Sequence, residues 1–411
     1  MTTDAKKLGK FFSLTSSWRS FLGPIGICAY LIGFAVPFKW DIPLIILALC
    51  GILVVAVDHE DTDFNRRWVE VILLTLFLFS MSLSIIASDD VHRSLKFSMP
   101  FLPALLVYFL LTEQFKFEQG LFLLFLALSV LAIWLAGTLL WTAWKNPGLH
   151  PHVWVEHSGI PVLVTRNDLS LLSVMAPFAA VLLYPNPRSA FGILAILSIL
   201  VSTFTVVLFQ SRGAAVTLCV SVGCMVALLQ TRKYLIAFGA FLSFLLILDA
   251  WFGFPLTGRF LDFQNRADAI RISHWKLAWK LFLERPLLGH GPHTFGLYDI
   301  LAPWPHNLYL ELMSGFGILG FSTFLALLAH GFSTAWKSNR SAVGQMRVFA
   351  AAALAALAAF CVGGAVELSL LRQWVVLMLF LILGVIAQLS FRKKSWLPKL
   401  KEETHEGSTS N

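Results

Sequence analysis

Apolar residues come in long blocks along this chain. Runs of roughly 16 to 23 apolar residues are separated by short polar breaks over almost all of its 411 residues. A helix rises 1.5 Å per residue, so about 20 such residues cross a ~30 Å hydrocarbon core. The blocks predict about twelve membrane-spanning helices, near 21–38, 42–57, 68–88, 97–112, 119–141, 169–184, 190–209, 213–229, 234–252, 308–330, 348–366 and 372–391. Residues 190–229 are nearly continuous in character, but roughly 40 residues are too many for one crossing. Gln210, Ser211 and Arg212 are therefore read as a break between two spans. No stretch sustains the two-residue alternation of a membrane β-barrel. The expected fold is an all-α integral membrane protein, with residues 1–411 forming one polytopic domain.

Composition agrees. Hydrophobic residues make up 57% and charged residues only 13%, about half the charge of an ordinary soluble domain. The net charge of +8 invites a nucleic-acid reading, but the charges fall in loops between spans. We therefore expect no nucleic-acid partner and read the excess as the positive-inside rule. With twelve spans both termini share a side, and that side holds 18 of the 31 lysines and arginines. Both termini are accordingly expected in the cytoplasm. The first span is read as retained, because no small-residue cleavage site follows the charged start. Two loops on the opposite, non-cytoplasmic face are long, 142–168 and 253–307, and the second is the larger. The tail, 392–411, reads as cytoplasmic and disordered. The five cysteines all lie within apolar runs, without metal-ligand or disulfide spacing. Neither a Walker A pattern nor a convincing internal repeat is present, which argues against ATP-driven work and against a repeat-built transporter.

Polar residues on the outer face carry the candidate chemistry. Arg212 stands in FQSRGAA between two spans with almost no loop, where an arginine is costly unless it meets an anion or lines a wet cavity. Gly213 permits a tight turn or a close approach. Segment 266–285 reads as an amphipathic interfacial helix, with Ile272, Trp275, Trp279, Phe282 and Leu283 near one face. Pro286 ends it. Arg266 and Arg271 lie near its start, a grouping that suits a pyrophosphate or anionic membrane lipid. His306 and Asn307 open the tenth span after Pro303 and Pro305, with Glu311 five residues beyond His306 as a possible partner. A neutral imidazole can take a proton from a hydroxyl. On residue type alone, however, none of the eight outer-face histidines stands apart.

FQSRGA after a span, R-x-x-x-W leading into PLLGHGP, and PHNLYLELMSGFGILG together resemble the bacterial O-antigen ligase family, which groups with O-antigen polymerases and O-linked oligosaccharyltransferases. The resemblance implies a periplasm-facing glycosyltransferase of the inner membrane. Its donor would be an undecaprenyl-pyrophosphate-linked glycan and its acceptor a sugar hydroxyl of the lipid A–core oligosaccharide. It also implies roles. His306 would be the general base, with Arg212 and Arg271 on the diphosphate. Arg266, Asn307 and either Arg93 or Lys96 would contact substrate, and Gly317 would occupy the downstream turn. No metal and no cofactor are expected. Asp89 and Asp90 are adjacent and do not form a spaced DxD pair, and arginines can replace a metal on a diphosphate. The alternatives are a polymerase, a protein O-oligosaccharyltransferase, or a non-enzymatic transporter of the same lipid-linked sugar.

Overall fold

The computed structural model describes residues 22–35, 41–57, 68–114, 118–184, 186–230, 232–253, 257–258, 266–299, 302–370 and 372–406. Among these residues the chain is helical, with no strand. The helices are α1 (Leu22–Ala35), α2 (Asp41–Val57), α3 (Trp68–Ile86), α4 (Val91–Ser98), α5 (Phe101–Gln114), α6 (Glu118–Lys145) and α7 (Pro151–His157). After a 3-10 turn at Arg166–Leu169 come α8 (Ser170–Val181), α9 (Ala190–Leu208), α10 (Arg212–Leu229) and α11 (Arg232–Trp251). The chain continues with α12 (Arg266–Glu284), α13 (Phe295–Tyr298), α14 (Leu308–Ser341), α15 (Gly344–Val366) and α16 (Gln373–Glu406).

Every expected apolar block carries a helix. Among the described residues eight segments are long and apolar enough to cross a membrane: 68–86, 91–113, 120–145, 190–208, 212–229, 308–341, 344–366 and 373–390. Three more apolar helices, at 22–33, 42–54 and 238–251, are shorter. The block at 169–184 forms only α8, 12 residues long and buried on nearly every side. The chain is a multi-pass, all-helical membrane protein. Only helices and closed barrels satisfy their own backbone polar groups in hydrocarbon. Residues such as Ile52, Phe79, Ile193 and Ile247 point outward, at about 60% exposure, as lipid-facing positions should.

Packing centres on α15. Its run Ala350–Ala353, with Ala355, Ala356 and Ala359, is fully buried against α8, α10, α14 and α16. Small side chains let helix backbones approach closely where lipid offers no hydrophobic drive to bring them together. The break anticipated at Gln210 is present: Gln210 has φ 56°, and Ser211 caps α10 by accepting from Ala214 N at 3.4 Å.

A kink in α14 ties the loop 285–299 to the bundle. Gly317 has φ 63° inside the helix, and a Cβ there would collide with the Leu287 carbonyl. The kink lets backbone groups turn outward. His290 N donates to Ser314 O and Gly291 N to Gly315 O, both at 2.9 Å, and Ile318 N donates to Pro286 O at 2.8 Å. The segments PLLGHGP and MSGFGILG are thus hydrogen-bonded partners.

The amphipathic helix expected at 266–285 is α12 (Arg266–Glu284). His274, Ala278 and Leu281 pack inward, whereas Ile272, Trp279 and Leu283 are exposed. The larger apolar face is the outer one, as an interfacial helix requires.

Candidate active site

The starts of α8, α10, α14 and α16 and the end of α15 lie at one end of the bundle. There a cavity of about 230 Å³ is lined by Arg166, Asn167, Arg212, Arg271, His274 and His306, among others. Three residues singled out in the sequence, Arg212, Arg271 and His306, therefore share one wall-to-wall space although they are far apart in the chain.

Each is placed by its local structure. Arg212 is the first residue of α10, beside the partial positive charge of a helix N-terminus. Gly213 follows it because a Cβ there would stand 3.3 Å from Glu367 Cβ, so the glycine allows Glu367 to come close. Arg271 projects from the second turn of α12. His306 has φ 56°, a left-handed conformation that costs a non-glycine residue about 1–3 kcal/mol. Its neighbours hold it there. Asn307 caps α14 by accepting from Tyr309 N and Leu310 N at 3.0 and 3.1 Å, and its Nδ2 donates to Ala365 O at 2.9 Å.

Glu367, at the C-terminal end of α15, organises the site. It is 6% exposed. Its Oε1 accepts from Asn167 Nδ2 at 2.6 Å and lies 2.8 Å from His306 Nδ1, while Oε2 accepts from Arg271 Nη2. A carboxylate can be buried when it is paired and hydrogen-bonded in this way. The contact fixes the tautomer of the neutral ring: Nδ1–H faces Glu367, and Nε2 keeps its lone pair. Among the described residues Nε2 has no hydrogen-bond partner. The carboxylate beside His306 is thus Glu367, and Glu311 is instead buried within the first turn of α14.

A second layer supports the first. Arg372 stacks over Trp304, with Cζ 4.4 Å from the ring centroid, and its Nε lies 3.4 Å from Asp168 Oδ1. Asp168 also accepts from Trp374 Nε1 at 3.1 Å. The Trp304 ring centroid is 5.3 Å from that of His306.

The remaining expected residues lie elsewhere. Arg93 is on α4 near Gly296, and Lys96 is exposed on the same helix; neither lines the cavity. Asn307 acts as a cap. Arg266 begins α12, and its side chain lies outside the described residues. Sequence reasoning missed Glu367, Asn167, Arg166 and His274. Glu367 left one signal, since it is the only acidic residue between Glu311 and Glu402. Thr165 and Asp168 left another, a T-x-x-D spacing that forms a capping box and orients Arg166 and Asn167.

Chemically the cavity offers the guanidinium groups of Arg166, Arg212 and Arg271, beside a ring nitrogen able to accept a proton. That combination suits an anion carrying more than one charge next to a hydroxyl that must be deprotonated.

No curated protein matches the chain significantly. The family model described as O-antigen ligase matches residues 193–325, a stretch that contains Arg212, Arg271 and His306. That match supports an O-antigen ligase or polymerase type of function and a glycosyltransferase-like activity. The match, and the motifs that lie within it, support a likeness to the O-antigen ligase family over this third of the chain.

Proposed function

We propose that the protein is an O-antigen ligase of the bacterial inner membrane. It transfers a glycan from undecaprenyl pyrophosphate to a sugar hydroxyl of the lipid A–core oligosaccharide, on the periplasmic face. The observation that carries the reading is the meeting of Arg212, Arg271 and His306 in one cavity.

In this mechanism Arg212 and Arg271 hold the donor diphosphate. Arg271 gives one N–H to Glu367 and keeps other donors for the ligand. His306 Nε2 takes the proton of the acceptor hydroxyl as its oxygen attacks the anomeric carbon. The bond from that carbon to the diphosphate oxygen breaks, and the arginines stabilise the departing charge. One direct displacement inverts the anomeric configuration. Glu367 holds His306 in the reactive tautomer and stabilises the imidazolium that forms. Because arginines neutralise the leaving group, the reaction is proposed to run without a metal. Purified protein treated with a chelator should keep its activity; loss restored by magnesium would move it to another mechanistic class.

The deciding experiment is the lipopolysaccharide profile of a deletion strain. A core without O-antigen, with polymer accumulating on the lipid carrier, is the outcome for a ligase. A core bearing a single repeat would mean a polymerase, and donor trapped on the cytoplasmic face a transporter. Loss of glycan from protein, with the lipopolysaccharide intact, would mean a protein O-oligosaccharyltransferase.

A further inference from the structure

His274 lines the cavity but has no part in the transfer as described. It lies on the inward face of α12 and is 4% exposed. Its ring is nearly parallel to that of His306, with centroids 6.0 Å apart and 20° between planes. Nε2 lies 3.1 Å from Asp299 Oδ2, close enough for attraction but not aligned for a hydrogen bond. Nδ1 is buried without a hydrogen-bond partner among the described residues. Buried polar atoms without partners are rare and call for an explanation.

The charge state narrows the explanation. Burial pushes the His274 pKa below its usual value; Asp299 pulls it upward, and His306 and Arg271 add to the lowering. The ring is therefore neutral near neutral pH, with one donor and one acceptor nitrogen. Asp299 beside Nε2 favours the proton there, which leaves Nδ1 as the acceptor. An ionised diphosphate has no proton to offer it. A sugar hydroxyl or an acetamido N–H does.

We propose that His274 determines donor specificity: its Nδ1 accepts a hydrogen bond from a hydroxyl or acetamido N–H of the sugar attached to the diphosphate. The proposal rests on the reading of Arg212 and Arg271 as the diphosphate site. The cavity, at about 230 Å³, is smaller than the ~300 Å³ at the low end of ordinary ligand sites. A cavity of that size excludes a long glycan, so the sugar read is the one nearest the diphosphate. A site built to pair with a substrate hydroxyl rejects an analogue that lacks it far more strongly than an apolar pocket rejects a missing methylene.

The test is calorimetric binding to the full-length protein in detergent. The probes are a bare polyprenyl diphosphate and the same lipid carrying one N-acetylglucosamine, N-acetylgalactosamine, glucose or galactose. Wild type should bind the bare lipid, and at least one sugar should tighten binding about tenfold, near 1.4 kcal/mol. His274→Gln, whose amide reaches the place of Nε2, should keep the bare-lipid affinity and lose the gain. His274→Asn, whose amide reaches the place of Nδ1, should keep most of it. A wild-type arm needs no variant: sugars stripped of one donor group at a time should lose the gain at one position. The proposal is overturned if the Gln variant keeps the gain, if both variants lose it equally, if no sugar improves binding, or if no single donor group matters. A wild type that does not bind the bare lipid overturns the diphosphate reading itself, which separates the two failures.

Discussion

Two regions of this molecule use the same three groups and put them to different uses. In one, Glu367 bridges Arg271 and His306. In the other, Asp89 bridges Arg285 and His290, at 2.8 and 2.7 Å. Each histidine presents Nδ1 to its carboxylate. The difference lies at the other nitrogen. His290 Nε2 faces the Leu281 carbonyl at 3.1 Å, and Tyr298 donates to Asp89 across the same cluster. Its ring is spent on holding the turn between α3 and α4 against the loop 285–299. His306 Nε2 has no such partner and opens on a cavity with two further arginines, Arg166 and Arg212. A histidine–carboxylate pair is therefore a clamp or a reactive group according to what its second nitrogen meets.

The comparison breaks most sharply with paired alanine substitutions. His306→Ala should lose about 10²–10⁴-fold in turnover, the usual worth of general base catalysis, with the melting temperature nearly unchanged. His290→Ala should do the reverse, because it removes the side-chain bridge from Asp89 to the Leu281 carbonyl and leaves the Asp89 carboxylate with fewer partners, at about 1–3 kcal/mol. Its melting temperature should fall by several degrees while turnover per folded molecule stays near wild type. Turnover and thermal unfolding measured on both purified variants decide it. If His290→Ala loses turnover as His306→Ala does, the division of labour is wrong.

Glu367→Gln comes next in size. The amide keeps the volume but loses the charge that stabilises an imidazolium, and it can present an N–H where His306 needs an acceptor. We expect kcat to fall by roughly 10²-fold, within the range of general acid–base effects, with KM for the donor changing much less. Equal changes in both would make Glu367 a binding group. The matching change at the clamp, Asp89→Asn, should leave kcat alone.

Arginine-to-lysine changes probe the cation side. Arg212→Lys and Arg271→Lys keep the charge but lose the planar fork that meets two phosphate oxygens at once. Donor KM should rise several-fold in each, whereas Arg285→Lys at the clamp should leave it unchanged. Normal transfer by both cavity variants would remove the diphosphate clamp from the mechanism.

These contrasts also mark how far the sequence was legible. The apolar blocks located the eight span-length helices among the described residues, because hydropathy and length act locally. The Gln210–Arg212 break was legible for the same reason. Arg212, Arg271 and His306 could be named from motifs, but their meeting could not, since it depends on α10, α12 and α14 converging at one end of the bundle. Glu367 was visible only as an isolated acid in an apolar region, and its partners lie 200, 96 and 61 residues away. A motif singles out His306 from His290, but residue type alone does not, because the decisive neighbours, Leu281 O and Tyr298 for one and the open cavity for the other, are tertiary. The amphipathic character of α12 was legible from its periodicity, but which residues it turns inward, His274, Ala278 and Leu281, depends on tertiary packing.

The smallest expected effect concerns the clamp and acid. Burial works to raise the pKa of Asp89, but hydrogen bonds from Tyr298 and His290 and the charge of Arg285 outweigh it, so the carboxyl lies below its ordinary value of 3.8. The folded state therefore holds this proton less tightly than the unfolded chain does. The clamp contributes in full above the ordinary pKa and is lost as pH falls through the lowered one. Arg285 is about half exposed, so solvent screens its charge and the contribution is modest. We expect the Asp89 contribution to the melting temperature to be level from neutral pH down to about pH 5 and to shrink below about pH 4. Asp89→Asn should start a little lower and lack that part of the acid slope. Thermal unfolding of the two proteins across that range checks it, and parallel slopes would mean that the clamp is held by its backbone bonds, Asp89 N to His290 O among them, and owes little to the charge.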